Sequence, residues 1–330
     1  MQRVIVYGCG GAGITITAKE VLVLENDSRV NVVTKYIDTS RADIDSFDLD
    51  PSRVHVVTNS KVDKRIDGSG GIREALDKHI SASMETYMEQ LDYEKEDIHI
   101  VVSSASGGSG SLIAPRLIHN LKSAGLPVIY ITLVDTSSVQ YCETSIKTLK
   151  HIDLMGRKYD YTVPTLVVDN NESIKVVNNR IGINATLLSI LLTSTHKSLD
   201  TADMSLFASN AYDKTTKGLV TLSVHTEERI STLKGSFIST LRVLTNDQYY
   251  KIDTTILDKV RQYKIGYTST DTLQHLSELS LDVPIFFAIT PNSAVSKIEA
   301  IKEELEDKLT IKEDKQEVFS MDEDIGGVSI

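Results

Sequence analysis

The apolar run Ile98-His99-Ile100-Val101-Val102 passes directly into Ser103-Ser104-Ala105-Ser106-Gly107-Gly108-Ser109-Gly110-Ser111, and a helical pattern opens at Leu112. A strand with apolar side chains on both faces has to be covered on both faces, which makes it an interior strand of a largely parallel sheet. The glycines and serines that end it let several backbone N–H groups converge at a helix N-terminus, where the helix dipole adds partial positive charge. Serine hydroxyls supply further donors. The segment reads as a phosphate cradle. No Lys follows its last glycine, so it is not a Walker A loop.

The same alternation runs through the first half of the chain. Apolar runs at 3–7, 31–37, 54–57, 98–103, 127–134 and 163–168 are separated by amphipathic stretches such as 72–91, 112–124 and 137–154. This pattern predicts an α/β fold with a Rossmann-like parallel sheet over residues 1–181. A helix over Ile183–Thr195, apolar nearly all round, predicts a buried central element, with the core helix and its connection spanning 182–199. Beyond Gly218 the texture changes to strands at 219–225 and 283–289 flanking irregular pieces, which predicts a smaller mixed α/β second domain over 200–290. Ala294, Ile298, Ile301, Leu305 and Leu309 form one stripe on a long C-terminal helix, 291–319. Residues 320–330 read as an acidic tail.

With 330 residues the chain has room for two packed domains. A net charge of −11 and the lack of a dense Lys/Arg tract argue against direct nucleic-acid binding. Two cysteines, Cys9 and Cys142, make no disulfide framework and suit a reducing compartment; no apolar run has the length of a membrane span. A cytoplasmic protein is expected. The histidines show no metal-type spacing.

Gly8-Cys9-Gly10-Gly11-Ala12-Gly13 follows the first strand and satisfies the GxGxxG pattern, and Asp38 closes the second strand where a ribose-binding acid belongs. Taken alone, this describes an NAD(P)-dependent oxidoreductase. A second glycine-rich cradle at 104–111 on the same sheet edge suits a mononucleoside triphosphate better. A third cluster, Asp67-Gly68-Ser69-Gly70-Gly71, reads equally as a plain loop. Asp38-Thr39-Ser40 is a helix-cap signal whose hydroxyls also offer oxygens to a phosphate or metal, and Asp135-Thr136-Ser137 reads first as a plain helix N-cap. Asp200 and Asp203, at i and i+3, read by themselves as a capped helix start.

In this order the loops resemble those of the tubulin/FtsZ family of GTPases. The resemblance covers most of the chain and is most specific at Ser106-Gly107-Gly108-Ser109-Gly110-Ser111, which is similar to the family's glycine-rich signature. It implies that GTP or GDP, with Mg²⁺, is held by Gly10, Gly11, Ala12 and Gly13, by Asp38 and Thr39, by Gly70 and Gly71, and by the signature loop. It further implies Asp135 at the nucleotide, Glu143 at the ribose, and Asn171 (or Asn170), Asn178 and Asn179 at the guanine. The family's hydrolytic loop corresponds to 198–204, where the usual Gly and Asn are missing and Asp200 and Asp203 become the candidates to orient water on the next subunit's nucleotide. That departure keeps a GTP-binding, non-hydrolysing filament protein as an alternative.

The signature loop, the acid pair, the long C-terminal helix and the tail look most like the phage-encoded tubulins. The implied partner is a second copy of the chain in a longitudinal homopolymer, with the tail docked on a neighbour. Asp322-Glu323-Asp324 supplies charge for a basic groove, and Ile325, Val328 and Ile330 are wasted on a purely solvating tail. The implied role is a phage cytoskeleton in the host bacterial cytoplasm, acting indirectly on phage DNA or capsids.

Overall fold

The computed structural model describes residues 2–28, 30–59, 64–65, 73–170, 172–193, 199–211, 213, 215–226, 237–244, 260–267, 285–291 and 294–307. Its core is one ten-stranded sheet. The first half contributes β1 (Val4–Cys9), β2 (Val32–Asp38), β3 (Val54–Val56), β6 (Ile98–Ser104), β7 (Val128–Val134) and β8 (Thr162–Asp169), all parallel, in the order β8-β7-β6-β1-β2-β3. A short antiparallel pair, β4 (Thr58–Asn59) and β5 (Lys64–Arg65), stands apart. Every side chain of β1, β6 and β7 is buried, as their continuous apolar runs require.

Alternation along each strand sorts the core into two layers. Val4, Val6, Ile100 and Val102 point to one face, where they meet helix α5 (Ile174–Thr193) and Met204 and Phe207 of α6 (Thr201–Ala208). Ile5, Tyr7 and Val101 point to the other, against α2 (Arg73–Gln90), α3 (Gly110–Ser123) and α4 (Val139–Lys158). A seventh helix, α7 over 294–307, joins that second layer through Ala294 and Ile298, with Ile301 and Leu305 partly buried behind them, as their spacing predicts. Helix α1 (Gly10–Ile16) continues through π and 3₁₀ turns to Asn26.

One expectation shifts. The central helix starts at Ile174, nine residues before the apolar run at 183, because Val177 and Ile181 already bury the same stripe among polar neighbours. The later strands continue the sheet of the first half. Strand β9 (Gly218–Thr226) pairs parallel with β8, and β12 (Ile285–Pro291), β10 (Phe237–Leu244) and β11 (Val260–Tyr267) extend it with β12 antiparallel to its neighbours. The pairs Gly70–Gly71 and residue Asn171, like residues 308–330 with the acidic tail, lie outside the described residues.

Candidate nucleotide site

The strand order reverses between β1 and β6, and the loops leaving these two strands meet over the sheet's C-terminal edge. Such a switch point is where an open α/β sheet leaves a crevice for a ligand. The loops approach to backbone contact. Gly10 has φ +69°, and a Cβ there would lie 2.5 Å from the Gly110 nitrogen; a Cβ on Gly110 would lie 2.8 Å from the Cys9 carbonyl oxygen. Only glycine satisfies both demands.

A cavity of about 410 Å³ opens above this contact, lined by Cys9, Gly10, Gly11 and Ala12 on one side and Ser104, Gly107, Gly108, Ser109 and Gly110 on the other, with Asp38, Ser40 and Asp43 completing it. Helices α1 and α3 both start here. Neither has a side-chain cap or an acid in its first turn. Helices α4 and α6 are capped instead: the Ser138 hydroxyl accepts the Tyr141 N–H at 3.2 Å, and the Asp200 carboxylate accepts the Asp203 N–H at 2.8 Å. Two helix N-termini with uncapped N–H groups facing one cavity constitute an anion site.

Asp38 and Thr39 sit on its floor. The Thr39 hydroxyl is 2.6 Å from the Ser109 hydroxyl, and Asp38, 2% exposed, accepts the Thr39 N–H at 2.6 Å. Burial pushes the Asp38 carboxyl above its usual range, opposed by bonds from Thr39 and Ser109 and reinforced by Asp43. The Asp43 carboxylate lies so close to Gly11 that a Cβ there would overlap it. Two carboxylates inside an anion cradle suit Mg²⁺, which takes one or two carboxylates plus phosphate oxygens. Among the described residues there is no cluster of three or more His, Cys, Asp or Glu that would hold a metal without phosphate. Sequence reading missed Asp43, whose only signal is an acid five residues past Asp38.

The remaining candidates take other positions. The Ser106 hydroxyl accepts the Asp135 N–H at 3.2 Å and meets Ser104 at 3.0 Å, tying the signature loop to the loop after β7. Ser111 turns back on its own loop, donating to the Gly108 carbonyl at 2.9 Å. Gly13 packs against the Val102 carbonyl and serves close packing. Asp135 spends one oxygen on the Ser137 N–H and the other on the Asn170 amide at 3.0 Å. The Asn170 Oδ1 is buried without a partner, an acceptor beside the cradle's rim. Asn178 and Asn179 occupy α5 beyond the cavity lining, Asn179 exposed. Glu143 lies in a groove between α4 and α7, paired with Lys302 at 3.2 Å, because α7 packs along that face.

Asp200 and Asp203 lie at the opposite end of the strands. Thr201, the first residue of α6, shares a groove with Gln2, Arg3, Asn31 and Asp97, the residues that precede β1, β2 and β6. The cradle follows the last residues of the same strands. From Gln2 to Gly10 an extended chain covers roughly 25 Å.

No family model matches the chain. It is 27% identical over 216 residues to a phage tubulin-like protein of Pseudomonas phage phiKZ, the match covering 62% of each chain, and 23% identical over 190 residues to one of Pseudomonas phage 201phi2-1, covering 56% of this chain and 60% of that one. The sequence match thus spans less than two thirds of these curated relatives. Solved structures align more fully. A PhuZ201 filament gives a TM-score of 0.77 at 18% identity over 95% of this chain and 93% of that one. The phage tubulin PhuZ with GDP gives 0.74 at 19%, over 94% and 93%, and the TubZ protofilament of bacteriophage PhiKZ 0.72 at 22%, over 100% and 95%. The chain therefore has the tubulin/FtsZ fold and is similar in sequence to phage tubulin-like proteins.

Proposed function

We propose that the chain binds GTP and GDP with Mg²⁺ in the cradle between β1 and β6 and polymerises head to tail, hydrolysing GTP where one copy's cradle meets the next copy's α6. The observation that carries this reading is the separation of the half-sites: anion donors follow the C-terminal ends of the strands, and the acid pair sits at their N-terminal ends. One chain cannot bring both to one phosphate. A second copy stacked along the strand direction can. A heterologous contact of that kind builds an open filament unless its rotation closes.

Within the site the N–H groups of Gly10–Ala12 and Gly107–Gly110 hold the phosphates, and Asp38 and Asp43 hold Mg²⁺, which neutralises phosphate charge when bound. Asn170, with its orphaned Oδ1 and its tie to Asp135, suits the guanine's N–H donors better than the exposed Asn179. Asp200 fixes the first turn of α6, and Asp203 orients the attacking water on the neighbour's nucleotide. In this reading Gly70, Gly71, Asn171 and Asn178 complete the nucleotide's surroundings, the acidic tail docks on the adjacent subunit, and the filament acts in the host cytoplasm to position or move phage DNA or particles. Among the described residues no helix is long and apolar enough to cross a membrane.

The test is GTP turnover per chain measured beside light scattering over a range of protein concentrations. Turnover per chain should rise steeply where scattering appears; a rate independent of concentration means that each chain holds a complete site and defeats the reading. One observation favours a second reading, a filament that binds GTP without hydrolysing it: the Asp200 carboxylate is already engaged by its own helix. Filaments without phosphate release would establish it.

A further inference from the structure

Resting on the nucleotide reading, we propose that α7 braces the rim of the cradle, with Lys302 a positioning residue that acts through Glu143 and α4 on the base side of the bound nucleotide. Helix α7 runs antiparallel to α4. Glu299 pairs with Lys150 at 2.6 Å in the middle of α4, and Lys302, three residues on, pairs with Glu143 at 3.2 Å near its start. Lys302 also holds Glu306 at 3.1 Å within α7. A groove of about 360 Å³ separates the two helices at this level, with Ile146 among its lining residues. Charge pairs therefore bridge the helices where packing does not, while Ala294 and Ile298 bury the earlier part of α7.

The start of α4 is also where the rim is tied together. Asp135 accepts the Ser137 N–H and the Asn170 amide, its own N–H reaches Ser106 in the signature loop, and the Thr136 hydroxyl donates to Asp169. Asp135, Asp169 and Glu143 thus gather three carboxylates around this start. Buried Cys142, next to Glu143, registers the surrounding charges: burial first, then Asp135 and Asp169, push its thiol up, and Lys302 opposes them. Lys302 is therefore close enough to offset repulsion among these acids, at the edge where a nucleotide adds more negative charge. Glu143 lies outside the cradle lining, so its influence passes through α4 and the Asp135–Asn170 pair rather than by contact. Without Lys302 the acids separate, and Asn170 moves with Asp135.

The test is calorimetry with two probes, GTP and inorganic tripolyphosphate, each with Mg²⁺. Tripolyphosphate needs the cradle alone, whereas GTP also needs the base side. Lys302→Met should weaken GTP binding roughly fivefold, a size usual for coupling between linked sites. It should leave tripolyphosphate binding unchanged, which certifies a folded cradle. Lys302→Arg should restore GTP binding. Glu143→Gln should lose as much as Lys302→Met, and the double variant no more than either, because the two side chains act as one pair. Unchanged GTP affinity in Lys302→Met, an equal loss for both probes, or additive losses in the double variant overturns the brace while leaving nucleotide binding standing. A wild-type chain that binds neither probe overturns the nucleotide reading itself, and the brace with it.

Discussion

His99 gives the sharpest quantitative test of the core beneath the site. Its ring is fully buried, with Nδ1 2.9 Å from the Tyr7 hydroxyl and the two rings stacked, while Nε2 has no partner. Burial lowers its pKa from 6.5 to about 4, against a smaller upward pull from Asp97. Because the folded pKa lies below the unfolded one, the unfolded chain binds more protons between pH 6.5 and 4, and stability falls as pH drops through that window. The full shift amounts to about 3 kcal/mol, most of which is lost by pH 4.5. Carboxylates titrate in the same range, so the reference is His99→Gln, which is uncharged at every pH. The chain has no tryptophan, so urea unfolding should be followed by circular dichroism at pH 7 and pH 4.5. The wild-type advantage over the variant should shrink by roughly 2 to 3 kcal/mol at the lower pH. An advantage unchanged to within about 0.5 kcal/mol would refute a buried neutral His99.

Three further outcomes follow from the site. Gly10→Ala forces a non-glycine residue to φ +69° and drives a methyl against the Gly110 nitrogen, so calorimetry should show at least a roughly tenfold loss of GTP affinity, with about 1–2 kcal/mol lost from stability; unchanged binding would separate the two loops functionally. Asp203→Ala should lower turnover in assembled filaments by roughly 10²–10⁴, as expected for loss of a base, whereas Asp200→Asn keeps a capping oxygen and should retain most of it. Equal losses would make Asp200 the group that meets the water. Asp38→Asn should erase the difference between GTP affinity in magnesium and in chelator, and an undiminished magnesium effect would assign the ion elsewhere.

What the sequence makes legible is set by how local the physics is. The cradle is readable because backbone approach demands glycine and serine at the strand ends, and the contact between Gly10 and Gly110 is that demand in three dimensions. Asp200 as a cap is readable for the same reason. Asp43 is not, since its closeness to Gly11 depends on how the chain turns after β2. The pairing of Glu143 with Lys302 joins residues far apart in sequence, and no local pattern announces it. Strands β10 and β11 escaped notice because polar residues interrupt them, as in Ser239-Thr240 and Gln262, Lys264.

The polarity of the proposed assembly, by contrast, follows from the fold class. In an all-parallel block every strand ends at the same edge, so the glycine loops, uncapped helix starts and anion site all collect there. Helices α1 and α5 return on one face and deliver their ends to the other edge, where α6 follows. The two edges therefore differ in chemistry: glycine loops with uncapped helix N–H groups at one, α6 with Asp200 and Asp203 at the other. Two such chains meeting like edge to like edge would oppose donor to donor and acid to acid. Meeting unlike edges would complete the proposed site and leave a free pole at each end, so growth would have a direction. The doubly apolar run at Ile98–Val102, which requires a strand covered on both faces, is where that directionality first becomes visible.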